Sequence, residues 1–330
     1  MRLTDSYGRV IRDLRVSLTD RCNFRCFYCL PEAKASLAHR DKILTFEEIC
    51  RLVKIFVRLG VDKIRLTGGE PLIRRDIVKL VEMIRRIEPG PADLALTTNG
   101  YDFGRFAKGL YEAGLNRVTI SLDSLDKTRF AEITGVDALE NVLEAVSIAQ
   151  QTGLSPVKIN VVVVRGRNDD EIVEFARFAR EKMLAVRFIE YMPLDSSHCW
   201  RPELVVSGRE IFSKINSVYP LTLKNIDRQS ETAKRYAFAD KTPGEIGIIA
   251  PVTEQFCGQC SRIRLTADGQ LRTCLFSVVE HDLRSAMRAG ESDQDLIRRI
   301  IRIVTMKEAG HSINSKDFVP PARSMSFIGG

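Results

Sequence analysis

The sequence predicts an α/β fold, an incomplete (βα)6 TIM-like barrel followed by a C-terminal region of different character, and three observations point there. Six extended segments alternate with five helical patterns as far as about residue 192. Such alternation calls for parallel strands joined by right-handed crossovers that set the helices outside the sheet. The rhythm then breaks after Met192. Finally, 330 residues, 44% of them hydrophobic and 28% charged, suffice for a buried core without disulfide staples. A doubly wound sheet shares the alternation; the barrel is the preferred arrangement. The chain accordingly divides into a barrel core over 1–192 and a C-terminal region over 193–330.

The extended segments read at 13–18, 63–67, 94–98, 117–122, 157–164 and 185–191. The first helix is the clearest: Thr45 is a good N-cap and Glu48 completes a capping box. Phe46, Ile49, Cys50, Val53, Phe56 and Val57 then share one helical face, and Gly60 stops the helix. Cys50 belongs to that apolar stripe and reads as a small buried hydrophobe. Further helices fit 76–87, 103–113, 138–152 and 169–181. Residues 193–256 read as irregular, with one helix near 207–217 and a Cys199 that has no neighbour of its kind. A cysteine cluster follows at 257–274, then an amphipathic helix near 293–307 with Ile297, Ile300, Ile301 and Val304 as its stripe. Arg298, Arg299 and Arg302 form its solvated face.

Composition excludes extensive disorder, collagen, coiled coil and an integral membrane protein; the longest aliphatic run is Val161 to Val164. The opening MRLTDSYGRVIRD lacks the apolar core of a signal peptide, so a cytoplasmic protein is expected. Fifty basic against forty-three acidic side chains give +7, which favours anionic partners without choosing among them. Eight cysteines without a secretion signal point to metal, redox or core roles rather than disulfides.

Cys22, Cys26 and Cys29 form C-x3-C-x2-C directly after the first strand. Zinc fingers pair their ligands in sets of two, and bacterial ferredoxins use C-x2-C-x2-C; neither template fits. Three thiolates in one loop could hold three irons of a 4Fe–4S cube and leave the fourth open, but the spacing alone also admits zinc or simple packing. Cys257, Cys260 and Cys274 form a second triad, to which His281 could add a fourth ligand for structural zinc. Two triads together favour clusters that are each one protein ligand short.

With Gly68-Gly69-Glu70-Pro71 after the second strand, the chain resembles the radical S-adenosylmethionine superfamily. LRVSLTDRCNFRCFYCLP, IRLTGGEPLIRRD, LTTNG, SLDSL, RFIEYM, GEIGII, FCGQCSRIRLTADGQLRTCLF and the terminal GG follow one of its families nearly end to end, the GTP 3′,8-cyclases of molybdenum cofactor biosynthesis. The resemblance implies two 4Fe–4S clusters, one on Cys22, Cys26 and Cys29 and one on Cys257, Cys260 and Cys274. The first would bind S-adenosylmethionine and cleave it to methionine and a 5′-deoxyadenosyl radical. That radical would take a hydrogen from C3′ of GTP, whose ribose carbon closes onto C8 of the guanine held at the second cluster. The product would be 3′,8-cyclo-7,8-dihydro-GTP. By the same resemblance S-adenosylmethionine is met by Tyr28, Gly69, Ser121 and Met192. GTP is met by Arg15, Arg65, Thr97, Lys158, Arg262, Ile263 (through its backbone) and Arg264, with Arg187 a further candidate. Gly329-Gly330 would thread toward the site. An electron donor and a downstream cyclic pyranopterin monophosphate synthase are implied as partners; no membrane or nucleic acid is expected, and a homodimer is admitted.

Strand alternation offers an independent check, because residues two apart share a face. Arg15, Ser17 and Thr19 do so, as do Lys63, Arg65 and Thr67, then Thr119, Ser121 and Asp123, then Lys158, Asn160 and Val162. Polar side chains on one face of otherwise apolar strands suit a barrel enclosing a wide ligand chamber; the alternative is that these faces meet solvent. No GxxxxGK[ST] occurs, so the phosphates would need arginines instead. Two other functions compete. A peptide-modifying radical enzyme with an auxiliary cluster usually carries more rear cysteines. A zinc-stabilised nucleic-acid-binding module would need aromatic platforms that 7% unclustered aromatics do not supply.

Overall fold

A computed structural model describes residues 2–30, 37–194, 199–225 and 230–329. In chain order the first half contains β1 (Asp13–Ser17), α1 (Phe46–Arg58), β2 (Lys63–Thr67), α2 (Ile77–Arg85), β3 (Asp93–Thr98), α3 (Phe103–Glu112) and β4 (Arg117–Ser121). It continues with α4 (Lys127–Thr134), α5 (Leu139–Thr152), β5 (Lys158–Val163), α6 (Ile172–Glu181) and β6 (Ala185–Glu190). The six predicted strands and their five helices are all present. The Thr45 capping box forms, with Glu48 N–H donating to Thr45 Oγ1 at 3.2 Å and Thr45 N–H to Glu48 Oε2 at 2.8 Å. Helix α4 escaped the sequence reading; only Asp126, accepting from Arg129 N–H, marks its start, and its apolar periodicity is weak.

The second half holds α7 (Gly208–Val218), β7 (Leu221–Leu223), β8 (Lys234–Phe238), β9 (Glu245–Ile249), β10 (Arg262–Leu265), β11 (Gln270–Arg272) and β12 (His281–Asp282). It closes with α8 (Arg284–Arg288), α9 (Asp293–Thr305) and α10 (Met325–Ile328). Residues 193–256 are therefore not the irregular stretch expected. Glu245–Ile249 is a strand with both faces covered, and such a strand reads as an apolar run (EIGII) with no alternation to reveal it. In α9 the fully buried stripe is Leu296, Ile300, Ile303 and Val304, while Ile297 and Ile301 pack at its border.

All twelve strands form one sheet, in the order β12-β11-β10-β1-β2-β3-β4-β5-β6-β9-β8-β7. β10 lies parallel to β1, with Asp13 opposite Arg262 and Arg15 opposite Arg264. β9 lies parallel to β6, with Arg187 opposite Gly247. The C-terminal region thus flanks the six-stranded barrel on both sides. Among the described residues no ladder joins β9 to β10, because the outer edge of each is taken by an antiparallel neighbour, β8 and β11. The barrel stays open there.

Alternate residues of each strand point outward under the helices: Leu14, Val16, Ile64, Leu66, Leu94, Leu96, Val118, Ile120, Ile159 and Val161 are almost completely buried. The intervening residues turn inward, and they are the polar set.

Candidate active site

One chamber occupies the barrel interior, and its walls include Arg15, Arg65, Thr97, Thr119, Ser121, Asp123, Asn160, Arg187, Met192, Arg262 and Arg264. The polar strand faces therefore enclose a cavity rather than meeting solvent. Both cysteine triads open into it. Their levels differ. Cys22, Cys26 and Cys29 follow the carboxyl end of β1, whereas Cys260 precedes Arg262, which pairs with Asp13 at the amino end of β1. The length of one five-residue strand, roughly 13 Å at about 3.3 Å per residue, separates the two levels.

The front loop is held mainly by backbone. Gly69 N–H donates to Thr19 O at 2.7 Å and Glu70 N–H to Arg21 O at 2.8 Å, joining the GGEP turn to the approach of Cys22. A Cβ on Gly69 would lie 2.1 Å from Arg21 O, so this turn tolerates no side chain. Arg25 N–H donates to Thr134 O at 2.7 Å, tying the loop to the end of α4. Glu70 is fully buried, and its carboxylate accepts from Leu72 N–H, Thr98 Oγ1 and Asn99 N–H, linking the ends of β2 and β3. Burial outweighs these bonds and lifts its pKa to about 7. Tyr28 Oη donates to Asp123, whose second carboxylate oxygen accepts from Val162 N–H at 2.8 Å. Burial raises the Cys22 thiol to about 11, Cys29 to about 12 and Cys26 well above its ordinary value. Left alone these thiols keep their protons; a metal that favours thiolate displaces them.

The rear triad is gathered from distant segments by charged side chains. Arg9, buried and paired with Asp5 at 2.6 Å, donates to Cys257 O, Ala309 O and Glu308 O at 2.8, 2.8 and 2.6 Å. Arg272 is fully buried against Glu280 and the carbonyls of Leu275 and Ser277, fixing the turn after Cys274. Lys307 donates to Thr273 O. Burial tends to raise the Cys260 thiol, but the Arg262 guanidinium and Lys307 ammonium prevail and bring it down to about 7. Cys274 is raised by burial. Among the described residues no three His, Cys, Asp or Glu side chains are arranged to hold a single metal ion. His281 sits on β12 opposite Leu271, outside the chamber. His281 therefore does not stand with the rear triad, and each triad offers three thiols to the chamber.

Between the triads lies a concentration of cations. Burial and mutual repulsion lower Arg65 to about 9 and Arg187 to about 10, and hold Arg264 well below its ordinary value. Guanidinium does not surrender its proton in proteins, so these shifts measure how badly the site lacks negative charge. Nε of Arg15, Arg187 and Arg262 is buried with no hydrogen-bond partner among the described residues. Arg65 is aimed by Thr97 Oγ1 at 3.0 Å and Thr119 Oγ1 at 3.1 Å. An anion with several oxygens would fit.

Of the residues expected from sequence, Tyr28, Gly69, Ser121, Met192, Arg15, Arg65, Thr97, Arg262 and Arg264 line the chamber with the six cysteines. Lys158 and Ile263 do not. The Ile263 side chain faces the core beneath the sheet, as the alternate residue between two inward arginines must, and the contact expected of it is through its backbone. Lys158, the first residue of β5, borders a separate depression. Gly329 reaches the interior: its carbonyl accepts from Arg264, and an added Cβ would meet Thr67 and Ser17. Gly330 lies outside the described residues. Cys50 is half-buried on α1, and Cys199 is exposed. The sequence reading gave no role to Arg9, to the Glu70 carboxylate or to His311; Arg9 meets carbonyls distant in sequence, Glu70 joins Leu72 to Thr98 and Asn99, and His311 lines the chamber beside Phe276 from a segment without regular structure.

Comparison with known proteins adds two family matches, the Radical SAM superfamily over residues 16–179 and Molybdenum Cofactor Synthesis C over residues 184–313. A GTP 3′,8-cyclase of Rhodopirellula baltica is 45% identical, covering 99% of this chain and 92% of its own length. Those of Streptomyces coelicolor and Thermodesulfovibrio yellowstonii are each 44% identical over 99% of this chain, spanning 96% and 100% of the relatives. The chain belongs to the GTP 3′,8-cyclase family. It is a radical S-adenosylmethionine enzyme, and the superfamily's 4Fe–4S cluster and S-adenosylmethionine come with that membership. Solved structures share the fold at low identity. SuiB of Streptococcus suis bound to S-adenosylmethionine gives a TM-score of 0.62 at 13% identity, over 89% of this chain and 65% of that one. anSMEcpe with bound AdoMet gives 0.50 at 18%, over 63% and 60%. No helix among the described residues is long and apolar enough to cross a membrane.

Proposed function

We propose that this GTP 3′,8-cyclase converts GTP to 3′,8-cyclo-7,8-dihydro-GTP between two 4Fe–4S clusters, the second held by Cys257, Cys260 and Cys274. One observation carries the reading: two cysteine triads at different levels of one chamber, with unsatisfied arginines between them. When bound, the front cluster and S-adenosylmethionine supply the 5′-deoxyadenosyl radical that removes hydrogen from C3′. The residues do the rest by placement. Gly69 lets the GGEP turn close against the Arg21 carbonyl of the front loop, while Tyr28, fixed by Asp123, together with Gly69, Ser121 and Met192 forms the wall around S-adenosylmethionine. Arg15, Arg65, Arg262 and Arg264 hold the nucleotide, their guanidinium forks suited to phosphate oxygens and to guanine. Thr97 and Thr119 keep Arg65 from collapsing onto its neighbours. Arg65, Arg264 and Thr119 are buried, which keeps water from their part of the chamber. Lys158 approaches from below; an electron donor and the downstream synthase complete the setting, in the cytoplasm.

Anaerobic reconstitution followed by incubation with GTP and S-adenosylmethionine tests this, read by mass spectrometry of the nucleotide. About eight irons per chain and a cyclised nucleotide are expected. About four irons, or turnover of a peptide panel with GTP untouched, would refute it.

A further inference from the structure

We propose that the buried ammonium of Lys307 is the counter-charge of the rear cluster, set behind the chamber wall so that it offsets the negative charge of the thiolates and makes that cluster easier to reduce. The inference rests on the rear 4Fe–4S cluster proposed above and extends it to what sets that cluster's potential.

Three cations hold the rear loop, and two of them have a carboxylate of their own. Arg9 pairs with Asp5 at 2.6 Å, and Arg272 pairs with Glu280. Lys307 is only 3% exposed, yet it makes no ion pair with any described residue. Its ammonium donates to the carbonyl of Thr273, the residue before Cys274. The adjacent acid, Glu308, accepts instead from Thr273 Oγ1 at 2.7 Å. Thr273 thus keeps the two charges apart, one on its carbonyl and the other on its hydroxyl. A buried charge is costly unless an opposite one stands close by.

The nucleotide is not that opposite charge. Thr273 and Cys274 line the chamber, whereas Lys307 lies behind them and does not. Its field falls on the sulfurs. Burial works against negative charge on Cys260 and Cys274; Arg262 and Lys307 oppose it at Cys260, and the Phe276 N–H and Lys307 oppose it at Cys274. Glu308 acts the other way at Cys274, less strongly than Lys307. Lys307 is therefore the cation common to both thiols. Three thiolates outweigh a doubly positive 4Fe–4S core by one charge, and reduction adds another. One fixed ammonium balances the oxidised cluster and favours the reduced one, which raises the potential. Lys307 touches neither substrate nor reacting atoms; it acts through the cluster.

The test is an anaerobic redox titration of the holoenzyme followed by electron paramagnetic resonance. The front cluster, identified by the change in its signal when S-adenosylmethionine is added, serves as the internal reference. Lys307→Gln keeps a donor for Thr273 O but no charge. It should favour the oxidised rear cluster at least tenfold more than the wild type does, about 59 mV to lower potential for one electron, and leave the front cluster within twofold. Lys307→Arg keeps the charge and should lie closer to the wild type than to Lys307→Gln. A smaller shift in Lys307→Gln, an equal shift of both clusters, or a Lys307→Arg protein closer to Lys307→Gln would overturn the proposal. If Lys307→Gln fails to hold rear iron, Lys307→Arg decides: rear iron retained at the wild-type potential supports the counter-charge, and any other result overturns it. A wild-type chain with only about four irons would instead remove the reading on which the proposal rests.

Discussion

The two cysteine triads are built in opposite ways. The front one lies within eight consecutive residues, and backbone hydrogen bonds to the neighbouring GGEP turn and to α4 hold it. The rear one spans residues 257–274 and is held by the side chains of Arg272 within it and of Arg9 and Lys307 from elsewhere in the chain. Their electrostatics diverge accordingly. Front thiols are pushed up by burial among groups that include Glu70 and Asp123, whereas Cys260 is pulled down by Arg262 and Lys307. A loop held by its backbone is specified by its own few residues. A loop held by cations needs the whole fold, and the same cations prepare its surroundings for an anionic substrate.

The sharpest way to break this contrast is to remove one thiol from each side. Cys26→Ala should abolish S-adenosylmethionine cleavage and cyclisation together, a loss beyond about 10⁴-fold, because the chemistry begins there. Cys274→Ala should stop cyclisation while keeping cleavage, seen as 5′-deoxyadenosine formed without cyclised nucleotide. If both proteins lost cleavage equally, the division of labour would be wrong.

A second comparison concerns what holds each loop. Gly69→Ala forces a Cβ toward Arg21 O and should raise KM for S-adenosylmethionine about a hundredfold with the rear cluster's spectrum unchanged. Arg9→Ala should do the reverse. It leaves three part-buried carbonyls without their donor, at about 1 kcal/mol each, and should strip iron from the rear site while the front site keeps its spectroscopic signature.

The smallest effect is expected far from both loops. Lys224 and Arg235 overcome burial to hold the Glu245 carboxyl down to about 2. A depressed carboxyl contributes stability that is present above its unfolded value, near 4.5, and is lost as pH falls toward 2. Glu245→Gln should therefore destabilise the protein at neutral pH, by about 2 kcal/mol, and flatten acid unfolding between those two values. Equal losses at pH 7 and pH 2 would show that the pair is not the cause.

These contrasts also explain what could be read from sequence. The front triad, the GGEP turn and the six-strand rhythm are local patterns, and each stands where the residues placed it. Inward Arg15, Arg65, Ser121 and Asn160 were legible because strand alternation alone assigns their face. β9 was not, since a strand covered on both sides carries no alternation and its position depends on β6. Arg9 was invisible for the same reason: nothing near it in sequence says that its guanidinium meets carbonyls some 250 residues away. Lys158 shows the limit of the facing rule, which gives the side of a strand but not the height along it.

The flanking of β1 and β6 by β10 and β9 bears on how this chain is made. At about 5–20 residues per second, a ribosome would leave the outer edge of β1 uncovered until roughly 250 further residues had emerged. A bare parallel edge is a template for the wrong neighbour. The first half synthesised alone should precipitate, and in the cell that interval is when the nascent polypeptide most needs a chaperone.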